Sequence, residues 1–93
     1  MDAEIRQRIQ LADGGAITLY DWMAEDVRDG RNLIRTDASG REVWRATPPL
    51  SGQNDCFTNI LPDQHRLKAG TWSGYEVAVD VETGKVSVLT FTK

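Results

Sequence analysis

One cysteine and one histidine are all this chain has of the side chains most used for metal ligation and nucleophile–base chemistry. A lone Cys56 closes no internal disulfide, which excludes a disulfide-stapled secreted scaffold. One His and one Cys make a common zinc site only with two carboxylates added. A Cys56/His65 dyad would span nine residues and a proline, with no nucleophile motif around Cys56 and Phe57 directly after it. The expectation is therefore a buried thiol and a polar loop, not an enzyme. No apolar run approaches the roughly 20 residues that cross a bilayer. No Gly-rich phosphate loop leads into a helix, which argues against nucleotide chemistry. Charge of one sign is also scarce: the net charge is −3 and the 11 Lys and Arg residues are scattered. A nucleic-acid or anionic-membrane binder needs a basic surface to displace counterions, so neither partner is expected. The segment Met1–Arg8 mixes charges of both signs and enters no apolar stretch. A signal peptide is not expected, and the expected location is cytoplasmic. No cofactor is expected either.

What remains is an ordinary globular composition, 40% hydrophobic and 27% charged over 93 residues. It suits one domain spanning residues 1–93, with a thin core that buries about 60–65% of the unfolded surface. The patterning is short alternating runs divided by Asp/Gly turns, the signature of an antiparallel all-β protein. Ile5–Leu11 and Ala16–Trp22 flank Asp13-Gly14-Gly15, where two glycines are free to take positive φ. Asn32–Asp37 and Arg41–Thr47 flank the next turn. Met23–Gly30 reads as a polar loop, and Thr47–Asp55, with two prolines, as a second and longer one. Cys56–Leu61 is a short strand stopped at Pro62-Asp63, His65–Trp72 a better one, and Ser73-Gly74 a two-residue turn. Tyr75–Val81 alternates most cleanly of all. Lys85–Thr92, apolar on both faces, reads as a strand covered on both sides. The expected architecture is an antiparallel meander of about 6–7 short strands, preferably one twisted sheet curling over its own core, otherwise a small sandwich or open barrel.

Two segments read as one hairpin written twice: Leu33 to Trp44, turning at Asp37-Ala38-Ser39-Gly40, and Val77 to Val88, turning at Asp80-Val81-Glu82-Thr83-Gly84. Asp37 and Asp80 are 43 residues apart, in the range of one four-stranded propeller blade. In each turn the Asp carboxylate is placed to accept backbone N–H groups ahead of it while Gly closes the loop in the left-handed region. Both Asp residues are thus explained by turn chemistry and not by catalysis or metal binding. The run Thr36-Asp37-Ala38-Ser39-Gly40-Arg41-Glu42-Val43-Trp44 resembles the hairpins of bacterial β-propeller repeats of the quinoprotein type. That likeness implies hairpin architecture alone, because the quinone-binding residues of such rings come from many blades and a propeller needs four to eight. The C-terminal run from Thr71-Trp72-Ser73-Gly74-Tyr75 through Asp80-Val81-Glu82-Thr83-Gly84-Lys85 to Phe91-Thr92-Lys93 resembles the ends of small uncharacterised bacterial proteins. It implies no activity.

Three tryptophans, Trp22, Trp44 and Trp72, stand at or near strand ends. Trp is an efficient way to fill a thin core, and it is also a frequent anchor for partners and ligands. Trp72 with Tyr75, across a turn, is the pair most readily placed at the surface. Two functional classes follow. The first is a non-catalytic protein-interaction or assembly module, engaging an unidentified protein or a second copy through an exposed strand edge or the Trp72/Tyr75 corner. The alternative is a small-molecule-binding domain whose aromatic cleft uses Trp22, Trp44 or Trp72 with polar groups such as Arg35, Arg45 and Asn59. The carboxylates Asp21, Glu25, Asp26 and Asp29 lack the spacing of a calcium loop, and Arg28 and Arg31 lie among them, so a solvated loop is expected there.

Overall fold

The computed structural model describes residues 4–23, 30–49, 55–63 and 66–91. Eight strands run through them: β1 (Ile5–Gln10), β2 (Ala16–Tyr20), β3 (Leu33–Thr36), β4 (Glu42–Arg45), β5 (Phe57–Asp63), β6 (Arg66–Thr71), β7 (Tyr75–Val79) and β8 (Val86–Phe91). Every pairing is antiparallel and every strand pairs with its sequence neighbour, giving two four-stranded meanders, β1-β2-β3-β4 and β5-β6-β7-β8. The single curling sheet is therefore corrected to two sheets that do not close into a barrel. The break falls between β4 and β5, in the proline-bearing stretch that cannot supply a continuous ladder. The two segments read as one hairpin repeated occupy equivalent places, the last hairpin of each sheet.

Period-2 alternation builds the core. Ile17 and Leu19 of β2 and Leu33 of β3 turn inward, with Trp44 of β4 and Ala46 just beyond it. The second sheet answers with Phe57 and Ile60 of β5, Leu67 and Ala69 of β6, and Val77 and Val79 of β7. Burying each large member of this set favours folding by about 1.5–3 kcal/mol. A β-ladder joins none of the first sheet's strands to the second's. Side-chain amides join them instead. Gln7 of β1 donates Nε2–H to the Ile60 carbonyl (3.1 Å) and accepts the Ile60 N–H at Oε1 (2.8 Å). Asn32, fully buried beside β3, donates to the Phe57 carbonyl (2.8 Å) and the Tyr20 carbonyl (2.9 Å) and accepts the Phe57 N–H (3.0 Å). Each amide turns one donor and one acceptor side by side toward a single residue of β5, as a peptide unit does, and so substitutes for a missing strand neighbour.

Each of the eight runs read as a strand from the sequence forms one, so the total passes the expected 6–7, and β5 does not stop at Pro62 but runs through it to Asp63. Proline is tolerated there because β5 is an edge strand, where a missing N–H deprives no neighbour. The reversal after β6 also shifts by one residue. Gly74 donates to the Thr71 carbonyl (3.1 Å) with φ +102°, so Trp72 lies in the turn and not in the strand. Nor is β8 covered on both sides, since Val88 and Leu89 are 52% and 40% exposed. Of the two glycines after Asp13, only Gly14 takes positive φ.

Candidate functional site

The hairpin turns after β1, β3 and β7 gather at one end of the molecule. Asp13 accepts the Gly15 N–H (2.8 Å). Asp37 accepts the N–H of Ser39 (2.9 Å), the N–H of Arg41 (3.0 Å) and the Ser39 hydroxyl (2.7 Å). Asp80 accepts the N–H groups of Glu82 (2.8 Å) and Thr83 (3.2 Å). All three carboxylates serve the turn they begin. Arg35 holds the turns together: its guanidinium donates to the Val81 carbonyl, meets Asp13 at 3.1 Å and lies 3.9 Å from Glu82. Trp44 donates its Nε1–H to the same Val81 carbonyl at 2.7 Å. Beside these turns a groove of about 510 Å³ opens between the sheets, floored by Ile9, Leu11, Ile17 and Leu67 and rimmed by Arg66 and Glu82. Its floor is aliphatic, and none of the three tryptophans lines it.

Hydrogen bonding holds two of these carboxyls below the ordinary carboxylate range. For Asp13 the Gly15 N–H is the main cause, with Arg35 adding to it. For Asp37 the Ser39 hydroxyl leads, followed by the Arg41 N–H. A folded-state pKa below the unfolded one contributes stability that is complete above the ordinary value of 3.8 and is lost as pH falls through the folded value. Asp37→Asn keeps an acceptor oxygen in the turn but removes the titration. Its thermal midpoint is expected to fall less than the wild type's between about pH 5 and pH 2. Thermal scans across that range check this, and parallel curves would refute the assignment. Cys56 moves the other way: burial pushes its thiol up and nearby Asp55 adds to this, the opposite of what a thiolate nucleophile needs. His65, Glu25, Asp26, Arg28 and Asp29 lie outside the described residues. Asp21 accepts from the Arg6 guanidinium (3.2 Å) and the Met23 N–H (2.9 Å).

The tryptophans take three different environments. Trp44 is core, 7% exposed, against Gly84 of the β7–β8 turn. Trp22 is half-buried, with the Arg6 guanidinium 5.3 Å above its ring. Trp72 is 62% exposed on its turn, and Tyr75 is half-buried. Arg45 bonds to Glu42 along β4 at 3.0 Å, and Asn59 leans over Gly70 on the outer face of the second sheet. The Trp72 turn rests on a residue that sequence reading missed. Buried Asp55 accepts the N–H groups of Cys56 and Ser73 (3.0 Å each) and the Ser73 hydroxyl (2.8 Å). With that proton committed, Thr71 donates its hydroxyl to Ser73 (3.0 Å) and accepts the Tyr75 N–H (3.1 Å). An Asp closing a polar loop carries no local sign of a partner 18 residues ahead.

The open surface of greatest consequence is an edge. Two sheets have four edge strands, β1, β4, β5 and β8. Three carry devices that discourage further pairing. In β1 these are Arg6 and Arg8 with a bulge after Ile5. β4 has only four residues, two of them the ion pair Glu42–Arg45. β5 holds Pro62 and has Ile60 capped by Gln7. The fourth, β8, reads Val-Ser-Val-Leu-Thr-Phe, with no charge and no proline. Its one irregularity is a bulge at Leu89, which leaves Val86–Val88 in regular register with β7. The corner Trp72–Tyr75 abuts its far end, where Tyr75 pairs with Phe91.

Fold and surface together define an all-β fold of two meanders, with Asp13, Asp37 and Asp80 committed to its own turns and, among the described residues, one strand edge that carries neither charge nor proline. The chain matches, over residues 1–91, the profile of a family described as Domain of unknown function (DUF7957), and it belongs to that family. No curated protein and no solved structure is similar enough to match it. No helix among the described residues is long and apolar enough to cross a membrane.

Proposed function

We propose that this protein is a small non-catalytic interaction or assembly module that works by strand addition at β8. The single observation that carries the reading is the contrast among the four edges, of which β8 alone has neither charge nor proline and exposes apolar side chains. Main-chain groups on such an edge supply hydrogen bonds to an incoming strand, and alternate side chains supply the apolar contact. The bond from the Asp80 N–H to the Lys85 carbonyl (2.9 Å) sets the phase of the β7–β8 ladder. By antiparallel alternation Ser87 bonds toward β7, while Val86 and Val88 turn their N–H and C=O groups outward. Val88→Pro therefore removes a donor from the open edge and none from the ladder. Val88→Lys sets a charge on the edge without changing the backbone.

The wild-type chain is expected either to gain apparent mass with concentration, from 10.4 kDa upward, or to retain a partner protein on an affinity resin. Both variants are expected to lose that behaviour while keeping a β-sheet circular dichroism spectrum. Sedimentation and pull-down measurements decide it. A wild type that stays monomeric and captures nothing that the variants fail to capture would end the reading.

A further inference from the structure

We infer that the strand β8 accepts is β8 of a second copy, paired antiparallel about a two-fold axis at Ser87. The inference rests on the edge reading above and adds an occupant and a register. Both follow from which groups point outward. Val86 and Val88 are separated by one residue whose own hydrogen bonds go to β7. An antiparallel copy centred on Ser87 sets Val86 opposite the partner's Val88 and Val88 opposite the partner's Val86. Each of these two pairs exchanges two N–H to C=O bonds, so four backbone bonds form across the axis. Such a contact is self-complementary and closed, so it stops at two chains and builds no fibre.

The side chains agree with this register. Val86 packs against the core, and Val88, in register with the buried Val77, shares its face. Val88 is nevertheless 52% exposed, so the first sheet does not reach over it and leaves room for a neighbour. Across the axis each Val88 would lie against the partner's Val86, an apolar β-branched pair of the kind that stabilises adjoining strands. Within Val86–Val88 neither chain presents a charge, so the net charge of −3 on each copy meets no local repulsion. The bulge at Leu89 lies just outside the paired segment and bends the rest of the strand away, which confines the contact. The core of this contact is short, and it belongs with weak, reversible interfaces.

Ser87 provides a register-specific readout. Directly opposed residues of a non-hydrogen-bonded pair have Cα atoms about 4.5 Å apart, within the range a disulfide spans. Full-length Ser87→Cys is incubated with oxidised glutathione, which accepts the two electrons as two thiols join. Val43→Cys, on the exposed outer part of edge β4, is the control. The expected result is a reducible covalent dimer forming about tenfold faster for Ser87→Cys than for Val43→Cys, because pairing raises the effective thiol concentration. Wild-type mass is expected to rise toward twice 10.4 kDa with concentration. If the wild type self-associates while the two cysteine variants cross-link at equal rates, the register is wrong and the edge reading stands. A wild type that stays monomeric while holding a different protein through Val88 overturns the second copy and again spares the edge reading. Monomer under all conditions, with nothing captured, overturns both.

Discussion

Asn32→Ala is expected to lower the thermal midpoint by about 12–24 °C, the shift that a loss of about 3 kcal/mol produces in a domain of this size. Asn32 is fully buried and makes three hydrogen bonds, all to main chain: the Phe57 N–H, the Phe57 carbonyl and the Tyr20 carbonyl. Alanine leaves these groups without their partner in a dry site, where an unmade hydrogen bond costs about 1–3 kcal/mol. The loss is concentrated because no ladder joins the sheets there; the amide occupies the place of a strand neighbour. Gln7→Ala removes a similar amide pair from Ile60, but in a part-exposed setting where water replaces it, and about 1 kcal/mol is expected. Asn32→Asp separates shape from donor: it keeps the acceptor for the Phe57 N–H but points lone pairs at two carbonyls. It is expected to be at least as damaging near neutral pH and to recover partly in acid, where a protonated carboxyl donates again. Chemical and thermal denaturation of the three variants check the ranking. An Asn32→Ala protein within a few degrees of wild type would show that the sheets are held by core packing alone.

Local features were legible in the sequence; the two-sheet arrangement was not. The alternation at Tyr75, Val77 and Val79, and the Asp/Gly punctuation at Asp37–Gly40 and Asp80–Gly84, depend on residues a few positions apart, and strands and turns formed there. The proline-bearing stretch after β4 reads as a loop in the sequence, and residues 50–54 of it lie outside the described residues. Whether it continued one sheet or separated two depends on pairings that a local pattern does not encode. Asn32 bonds to a residue 25 positions away and Gln7 to one 53 away, and each looked like an ordinary polar side chain near a strand. Pro62 misled for a physical reason: proline excludes a central strand, not an edge, and edge status is a property of the sheet. Trp72 came to the surface because the turn begins one residue earlier than the Ser73-Gly74 pair suggested. The open edge was anticipated only as a class of surface. That β8 carries it follows from seeing what guards the other three edges.

The two Asp/Gly turns differ in what their glycines touch, and a matched pair of substitutions is expected to expose that difference. Gly40 closes the β3–β4 turn at φ +88°, and a Cβ added there meets nothing within 4 Å. Gly84 closes the β7–β8 turn at φ +78°, and its added Cβ would come within 2.6–2.9 Å of Cδ2, Cγ and Cε3 of Trp44. Alanine at either position bears the strain of the left-handed region, about 1–2 kcal/mol. Only at Gly84 must it also displace an indole. That ring has little freedom to retreat, because it lies among the buried side chains and its Nε1–H is committed to the Val81 carbonyl at 2.7 Å. Overpacking of this kind adds about 1–3 kcal/mol. Gly84→Ala is therefore expected to cost about 3 kcal/mol, against about 1 kcal/mol for Gly40→Ala, a further fall in the thermal midpoint of about 8–16 °C. The near-ultraviolet circular dichroism of Trp44 is expected to change in Gly84→Ala and to hold in Gly40→Ala. Trp44→Leu, which empties the space above Gly84, is expected to absorb the added methyl, so that Gly84→Ala costs less in that background than in the wild type. Equal penalties at the two glycines in the wild-type background would mean that both act through backbone conformation alone. The contact between the last turn of the second sheet and the tryptophan of the first would then hold no part of the two sheets together.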